Sequence, residues 1–280
     1  ATIRPYGPIE MNPATVVLHY AQETFEGLKA YRRADGQIQL FRPEMNARRM
    51  INSNERLCMA TIPEDMFIEA VNALVKAEED WVPSEPETSL YIRPFAFACE
   101  SSLGVHKSKA YKFVIILSPV GAYYAEGLAP VKIMVEDEYV RAVQGGTGFT
   151  KCGGNYAGSI IGQVKAEKYG CSQVLWLHGR ERKYVEEVGA MNIMFKIDGE
   201  IYTAPIEGTV LPGVTRDSII HILKDWGYKV NETHLSVDDL MQAGRDGRLE
   251  EVYGTGTAAV ISPVGALVYK GEEITINNFK

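Results

Sequence analysis

The chain has 280 residues, 46% apolar and 23% charged, with 36 Asp+Glu against 29 Lys+Arg and a net charge of −7. That length buries a substantial core as two modest domains or one large one. The acidic balance, with no Lys/Arg run, excludes a partner that binds through a nucleic-acid phosphate backbone. No apolar run reaches transmembrane length. Four scattered cysteines without Cys-x-x-Cys spacing and five dispersed histidines argue against a metal cluster or disulfide framework and suit a reducing cytoplasm.

In chain order, "HYAQETFEGLKAYRRADGQIQLF" places Asp35-Gly36 between two β-rich runs, the sequence form of a hairpin. From Pro63 to Trp81, the residues Phe67, Ala70, Val71, Leu74 and Val75 keep helical spacing behind an acidic first turn. "SLYIRPFAFA" and "YKFVIILSP" read as strands separated by a loop around Gly104. The Gly- and aromatic-rich stretch "VGAYYAEGLAP" breaks the pattern and is read as an interdomain connection over 121–130. Beyond it, the strands "VKIMVE", "SQVLWLH" and "MNIMFKI" alternate with helices expected at 156–169, 215–226 and 236–243, with Gly170 and Gly227 as C′ stops for the first two. This order predicts two α/β domains with mixed sheets, one over 1–120 and a larger one over 131–280. Ala1 at the start and "ITINNFK" at the end suggest trimmed termini.

Five segments carry candidate chemistry. In "GFTKCGGNYAGS", Lys151 lies between two glycine clusters just ahead of a helix-like run. Glycines let a backbone or a flat ligand approach closely, and a lysine held there can have its amine freed to form a Schiff base; the other reading is a solvated loop lysine. In "YVEEVGAMN", Glu187 leads into a buried strand, where it either sits at a watery edge or faces a cationic ligand nitrogen. In "TVLPGVTRDSII", a Pro212-Gly213 turn precedes a helix start at Thr215 or Asp217, either an ordinary cap or an anion site. "YGTGTAAV" is a Gly/Thr turn whose N–H groups and hydroxyls suit a phosphate or carboxylate. In "LYIRP", Tyr91 and Arg93 are two apart and share a strand face, either as a surface pair or as a carboxylate grip. "FRPEMNARRM" adds Arg42, Arg48 and Arg49, on a helix where most charges are solvated.

Taken in this order, "LHYAQETFEGLKAY", "TKCGGNYAGS", "EEVGAMN", "LPGVTRDS" and "GTGTAAVISPV" resemble the branched-chain aminotransferases, which are fold-type IV pyridoxal 5′-phosphate (PLP) enzymes. The resemblance spans nearly the whole chain and implies two α/β domains joined by an interdomain loop, the C-terminal one binding PLP. It implies that Lys151 holds PLP and shuttles the proton, that Tyr156 bonds the ring oxygen, and that Glu187 pairs with the pyridine nitrogen so that the ring acts as an electron sink. Arg49, Val214, Thr215 and Thr257 match the phosphate cup. Thr257 and Ala258 match the turn that receives the α-carboxylate. Tyr20, Phe25, Tyr91 and Tyr123 match the side-chain wall, with Arg93 reaching the distal carboxylate of glutamate. Leu103 and Val105, in "SSLGV", match residues lent to a neighbouring subunit, which implies a homodimer.

Some positions depart from the family pattern. Ala259 and Ser262 stand where the animal enzymes carry Cys-x-x-Cys, so no thiol switch is expected; Met194 and Ala190 replace a frequent aromatic residue and threonine. The implied activity is transamination of leucine, isoleucine or valine with 2-oxoglutarate. A D-amino acid aminotransferase, an aminodeoxychorismate lyase and a catalytically idle PLP-binding protein are the rival readings.

Overall fold

The computed structural model describes residues 2–121 and 129–279. They divide into two compact units, Ala1–Tyr123 with Thr150–Gly154, and Tyr124–Phe149 with Asn155–Lys280. The segment around Lys151, assigned from sequence to the C-terminal domain, therefore packs with the first unit. Most of the stretch read as the interdomain connection lies outside the described residues.

The first unit is a five-stranded antiparallel sheet with helices packed on it. Its elements are α1 (Val16–Tyr20), β1 (Glu23–Phe25), β2 (Leu28–Arg32), β3 (Ile38–Leu40), α2 (Pro43–Arg56), α3 (Glu64–Ala77), β4 (Ser89–Ala98) and β5 (Tyr111–Val120). The long β4 organises the sheet: β5 runs along its whole length, while its other edge takes β1 at Phe95–Phe97 and β2 at Leu90–Ile92. The Asp35-Gly36 turn joins β2 to β3, and Gly36 sits at φ +82, the left-handed region that glycine adopts without a Cβ clash. In α3, Phe67, Val71 and Val75 recur at helical spacing and are buried, meeting Met50 of α2 and Leu90 and Ile92 of β4. Pro63 precedes the first turn of α3, and the helix ends at Ala77 before a short 3₁₀ turn over Glu79–Trp81, earlier than the sequence pattern implies.

The second unit holds β6 (Val131–Glu136), α4 (Gly153–Lys168, its first two residues counted with the first unit), β7 (Gln173–Leu177), β8 (Val185–Val188), β9 (Met191–Ile197), β10 (Glu200–Thr203), α5 (Val214–Asp225), β11 (Val230–Glu232), α6 (Val237–Arg245), β12 (Leu249–Gly256), β13 (Val260–Tyr269) and β14 (Glu272–Thr275). Its nine strands mix parallel pairs (β6–β7, β13–β6, β10–β11) with antiparallel ones. The ladder β9–β12–β13–β6–β7–β8 returns to β9 through Glu187↔Asn192 and Val188↔Met191, so the pairings close into a ring. Closure removes exposed strand edges. Ile133, Leu175, Ile193, Phe195 and Leu267 form its core, and α6 covers it with Leu240 and Met241. On another face, Trp176 packs with Met134 and Ala166 of α4. α4 starts at Gly153, three residues before the expected start at 156, because two glycines that weaken a helix interior are tolerated in its first turn.

Helix α4 supplies a test of this packing. A Cβ on Gly162 would lie 2.4 Å from Trp176 Cη2, while one on Gly158 meets nothing within 4 Å. Gly→Ala in a helix gains about 1 kcal/mol from propensity, but overpacking a tight contact costs about 1–3 kcal/mol. Gly162→Ala is therefore expected to cost up to about 2 kcal/mol net and lower the melting temperature by up to about 8 °C, and Gly158→Ala to raise it; thermal unfolding of the two variants side by side checks the sign of each.

Candidate functional site

In the first unit, Lys151 is held by its backbone. Its N–H donates to Ser53 Oγ of α2 at 3.0 Å, and its carbonyl accepts from the Phe25 N–H of β1 at 3.0 Å. These two bonds fix where its side chain leaves the chain, and the Nζ comes 4.8 Å from the Phe25 ring centroid. The guanidinium of Arg93, from β4, lies 4.8 Å from the same ring and 5.3 Å from the ring of Tyr91, and its Nη2 donates to Tyr91 Oη at 3.0 Å. Lys151 Nζ and the Arg93 guanidinium thus both approach one aromatic ring. The pairing of Tyr91 and Arg93 on one strand face, open in the sequence, resolves as a direct hydrogen bond.

The glycine after Cys152 has a steric reason. Gly153 N–H donates to the Glu23 carboxylate, and a Cβ at Gly153 would sit 2.1 Å from Glu23 Oε1. Burial pushes the Glu23 carboxyl above its usual value, against the opposing pull of the Gly153 N–H and the charge of Arg93.

Arg49 lies on α2 and is buried. It forms a two-pronged pair with Glu26, Nε to Oε1 at 2.7 Å and Nη2 to Oε2 at 2.8 Å, and Asn46 Nδ2 donates to Oε2 at 2.8 Å. This network takes the Nε–Nη2 edge of the guanidinium and fixes its plane. Tyr20 donates to the carbonyl of Leu103, and Leu103 and Val105 are exposed. Tyr123 lies outside the described residues.

In the second unit, Glu187 of β8 is buried, 4% exposed. Its Oε1 accepts from Leu211 N–H at 2.8 Å and from Asn192 Nδ2 at 3.1 Å, and Arg141 Nε stands 3.3 Å from Oε2. Arg141 Nε makes no hydrogen bond among the described residues, so this last approach is a charge contact rather than an aligned bond. Arg141 is itself fixed through Thr209 O and Gly148 O. Donors surround the group, so it serves as an acceptor carboxylate. Sequence reasoning missed Arg141 and Asn192. The only available signal for Asn192 was its place opposite Glu187, five residues on, across a tight β turn.

Asn192 also donates to Leu211 O at 2.9 Å, and its Oδ1 occupies the space where a Gly213 Cβ would lie. It thereby pins the turn that leads into α5. That helix begins at Val214 behind Gly213, an N-cap residue with no side chain to cap its first amides. A 12-residue helix with glycine at its N-cap directs its first N–H groups and the positive end of its dipole at whatever lies beyond its start. Val214 is buried and Thr215 half-buried there. Thr257 and Ala258 occupy the turn between β12 and β13, and Tyr156 the first turns of α4, all half-buried. Of the sequence candidates, Phe25, Tyr91, Arg93 and Lys151 converge in the first unit, where Arg49 sits in its own network with Glu26 and Asn46 and Tyr20 bonds Leu103, and Glu187 is linked to the α5 start in the second.

Glu23 gives a pH test. Its folded-state value is raised, so the stability it contributes is full below the unfolded value of 4.5 and is lost as pH rises through the folded value. Glu23→Gln is expected to gain on the unmodified protein as pH rises from about 4 to about 7. Melting temperatures of both proteins across that range check it; a constant difference overturns it.

Comparison with known proteins gives a consistent answer. The family model described as amino-transferase class IV matches residues 23–267. The chain is 55% identical over 276 residues to branched-chain-amino-acid aminotransferase 2 of Bacillus subtilis (strain 168), covering 99% of this chain and 76% of that protein. Among solved structures, the T.th. branched-chain amino acid aminotransferase with pyridoxamine 5′-phosphate superposes with a TM-score of 0.80 at 29% identity, covering 95% of this chain and 83% of that one. The same enzyme complexed with N-(5′-phosphopyridoxyl)-L-glutamate gives a TM-score of 0.77 at 27% identity, covering 97% and 83%. With a family match from β1 to β13 and a relative at 55% identity over almost the whole of this sequence, the chain belongs to the class IV aminotransferases.

Proposed function

We propose that this protein is a PLP-dependent transaminase of L-branched-chain amino acids that uses 2-oxoglutarate as amino acceptor and forms L-glutamate. The observation that carries the reading is the setting of Lys151, an amine brought beside the Phe25 ring and Arg93 by two backbone bonds. The likeness to the Bacillus subtilis enzyme supports the substrate class.

The residues present fit the cofactor. Glu187, buried and ringed by donors, is the acceptor a protonated pyridine nitrogen requires. The start of α5, with glycine at its N-cap, is a donor set for a phosphate, and Asp217 in its first turn is not buried. Lys151 would hold the cofactor, Tyr156 its ring oxygen, and Arg49, Val214, Thr215 and Thr257 its phosphate. When bound, PLP supplies an electron sink for the pair left on the substrate α-carbon.

The chain's own groups do the rest. Leu211 N–H and Asn192 Nδ2 both donate to Glu187 Oε1, which fixes the orientation of the carboxylate that would pair with the pyridine nitrogen. Lys151 Nζ would take the proton leaving the substrate α-carbon and deliver it to the C4′ position of the cofactor, not back to the carbon it left. The turn at Thr257 and Ala258 receives the α-carboxylate. Tyr20, Phe25 and Tyr91 form the wall for a branched side chain. Arg93, held by Tyr91 at the edge of that wall, meets the distal carboxylate when glutamate occupies the site. Exposed Leu103 and Val105 reach a second subunit, so the working form is a homodimer. Among the described residues no helix is long and apolar enough to cross a membrane, and a cytoplasmic location agrees with the cysteine pattern.

The test is the visible spectrum of the PLP-loaded protein with L-leucine in one sample and D-alanine in another. The cofactor band should change with L-leucine alone; a response only to D-alanine would assign the D-specific relatives. Lys151→Ala should lose about 10³-fold or more in turnover, and Glu187→Gln about 10²-fold. Near-normal turnover in the lysine variant would sink the assignment, and turnover without any amino acceptor would point to the lyase.

A further inference from the structure

One face of the first unit's sheet gathers its charges at a single spot. Thr24 of β1 is buried and its hydroxyl donates to Asn54 of α2. Side chains alternate along a strand, so Glu23 and Phe25 project from the other face. β1 pairs with β4 through Glu23↔Phe97 and Phe25↔Phe95. Residues opposite one another in an antiparallel pair share a face, and Arg93 lies two residues before Phe95, so Glu23, Phe25 and Arg93 stand on one surface. Glu23 is also the one acidic residue in the five described strands of this sheet.

The bond that Glu23 makes does not require a charge. Its carboxylate accepts from the Gly153 N–H, and an amide oxygen accepts the same bond. Burial raises the Glu23 carboxyl above its usual value, so the anion is kept near neutral pH at a cost in stability that a glutamine would avoid. Natural sequences keep such costs chiefly where function needs them. The need is next to it. Among the described residues, the Arg93 guanidinium has one hydrogen bond, to the neutral hydroxyl of Tyr91, and its buried Nε has none. Its charge reaches Glu23 through space, without a bond between them. A cation with no counter-charge in an aromatic wall favours an anionic side chain over an apolar one, because taking water from it is costly unless an anion takes the water's place.

We infer that Glu23 is a specificity-determining residue of the transaminase proposed above: its carboxylate offsets the Arg93 cation, so that a wall able to meet the distal carboxylate of glutamate also accepts a branched apolar side chain. The inference rests on that reading of the function. When the apolar side chain is bound, Arg93 keeps a counter-charge on its own sheet face. When glutamate is bound, its distal carboxylate meets the guanidinium, and Glu23 opposes that second anion from a distance.

Two ligands without an amino group read this apart from turnover: 4-methylpentanoate, which is leucine lacking its amine, and glutarate, which is glutamate lacking its own. Calorimetric titration of the PLP-loaded protein gives both dissociation constants. Glu23→Gln keeps the acceptor for Gly153 and removes the charge, and it should move the ratio of the two constants about tenfold towards glutarate. The kcat/KM ratio of L-glutamate to L-leucine should move the same way. Glu23→Ala removes both charge and bond; it should shift the ratio in the same direction, and it decides the matter if the Gln variant does not fold. An unchanged ratio in the folded Gln variant overturns the inference, as does a shift seen in the Ala variant alone, which would assign the effect to the Gly153 bond. A cofactor band in the unmodified protein that ignores L-leucine would mean that the transaminase reading has failed; a normal response with an unmoved ratio removes only the role of Glu23.

Discussion

A carboxylate taken out of water must be surrounded by donors, and the second unit is built around that requirement at Glu187. The strand return that closes its ring of pairings runs through Glu187↔Asn192, so the residue that completes the sheet is also the residue that donates to the carboxylate. Asn192 in turn grips Leu211, whose amide is the second donor. Removing a partner from a buried charge is far more damaging than never having buried it. The β8–β9 turn, the approach to α5 and the position of Arg141 are therefore one linked arrangement rather than three.

The first unit repeats the logic with the signs exchanged. Arg49 is buried on α2, and Glu26 answers it with both oxygens while Asn46 closes the network. In each unit the charged group that the family resemblance singles out belongs to a set of one acid, one arginine and one asparagine. The fixed geometry matters more than the pair's net energy, since a guanidinium held in one plane meets an anion without first giving up rotamer freedom.

Much of this was legible in sequence. The hairpin at Asp35-Gly36 and the strands "SLYIRPFAFA" and "MNIMFKI" follow from turn chemistry and apolar patterning, and each is present. α3 follows from helical spacing, though it stops at Ala77 because a turn over Glu79–Trp81 takes over. What escaped was long-range. Arg141 stands in a loop with no periodic pattern, 46 residues from the carboxylate it meets, and nothing local distinguishes it from a solvated arginine. The pairing of Glu26 with Arg49 was equally invisible, because a helix arginine looks solvated until the strand beside it is placed. The ring closure at β8–β9 depends on a register that no composition reveals.

The glycines around Lys151 raise the question of why a lysine should be set among residues that weaken both helix and strand. At Gly153 the reason is space rather than flexibility, because a side-chain oxygen stands where a Cβ would go. Gly213, ahead of α5, is in the same position with respect to Asn192 Oδ1. In both cases the glycine precedes or opens a helix, and the intruding oxygen belongs to a side chain near a residue of the proposed site: Glu23 lies two residues before Phe25, and Asn192 bonds Glu187. A larger residue would displace those side chains before it disturbed the helix. Sequence shows such a pattern only as a cluster of small residues, and the structure supplies the reason: the backbone has been thinned so that a polar atom can reach it.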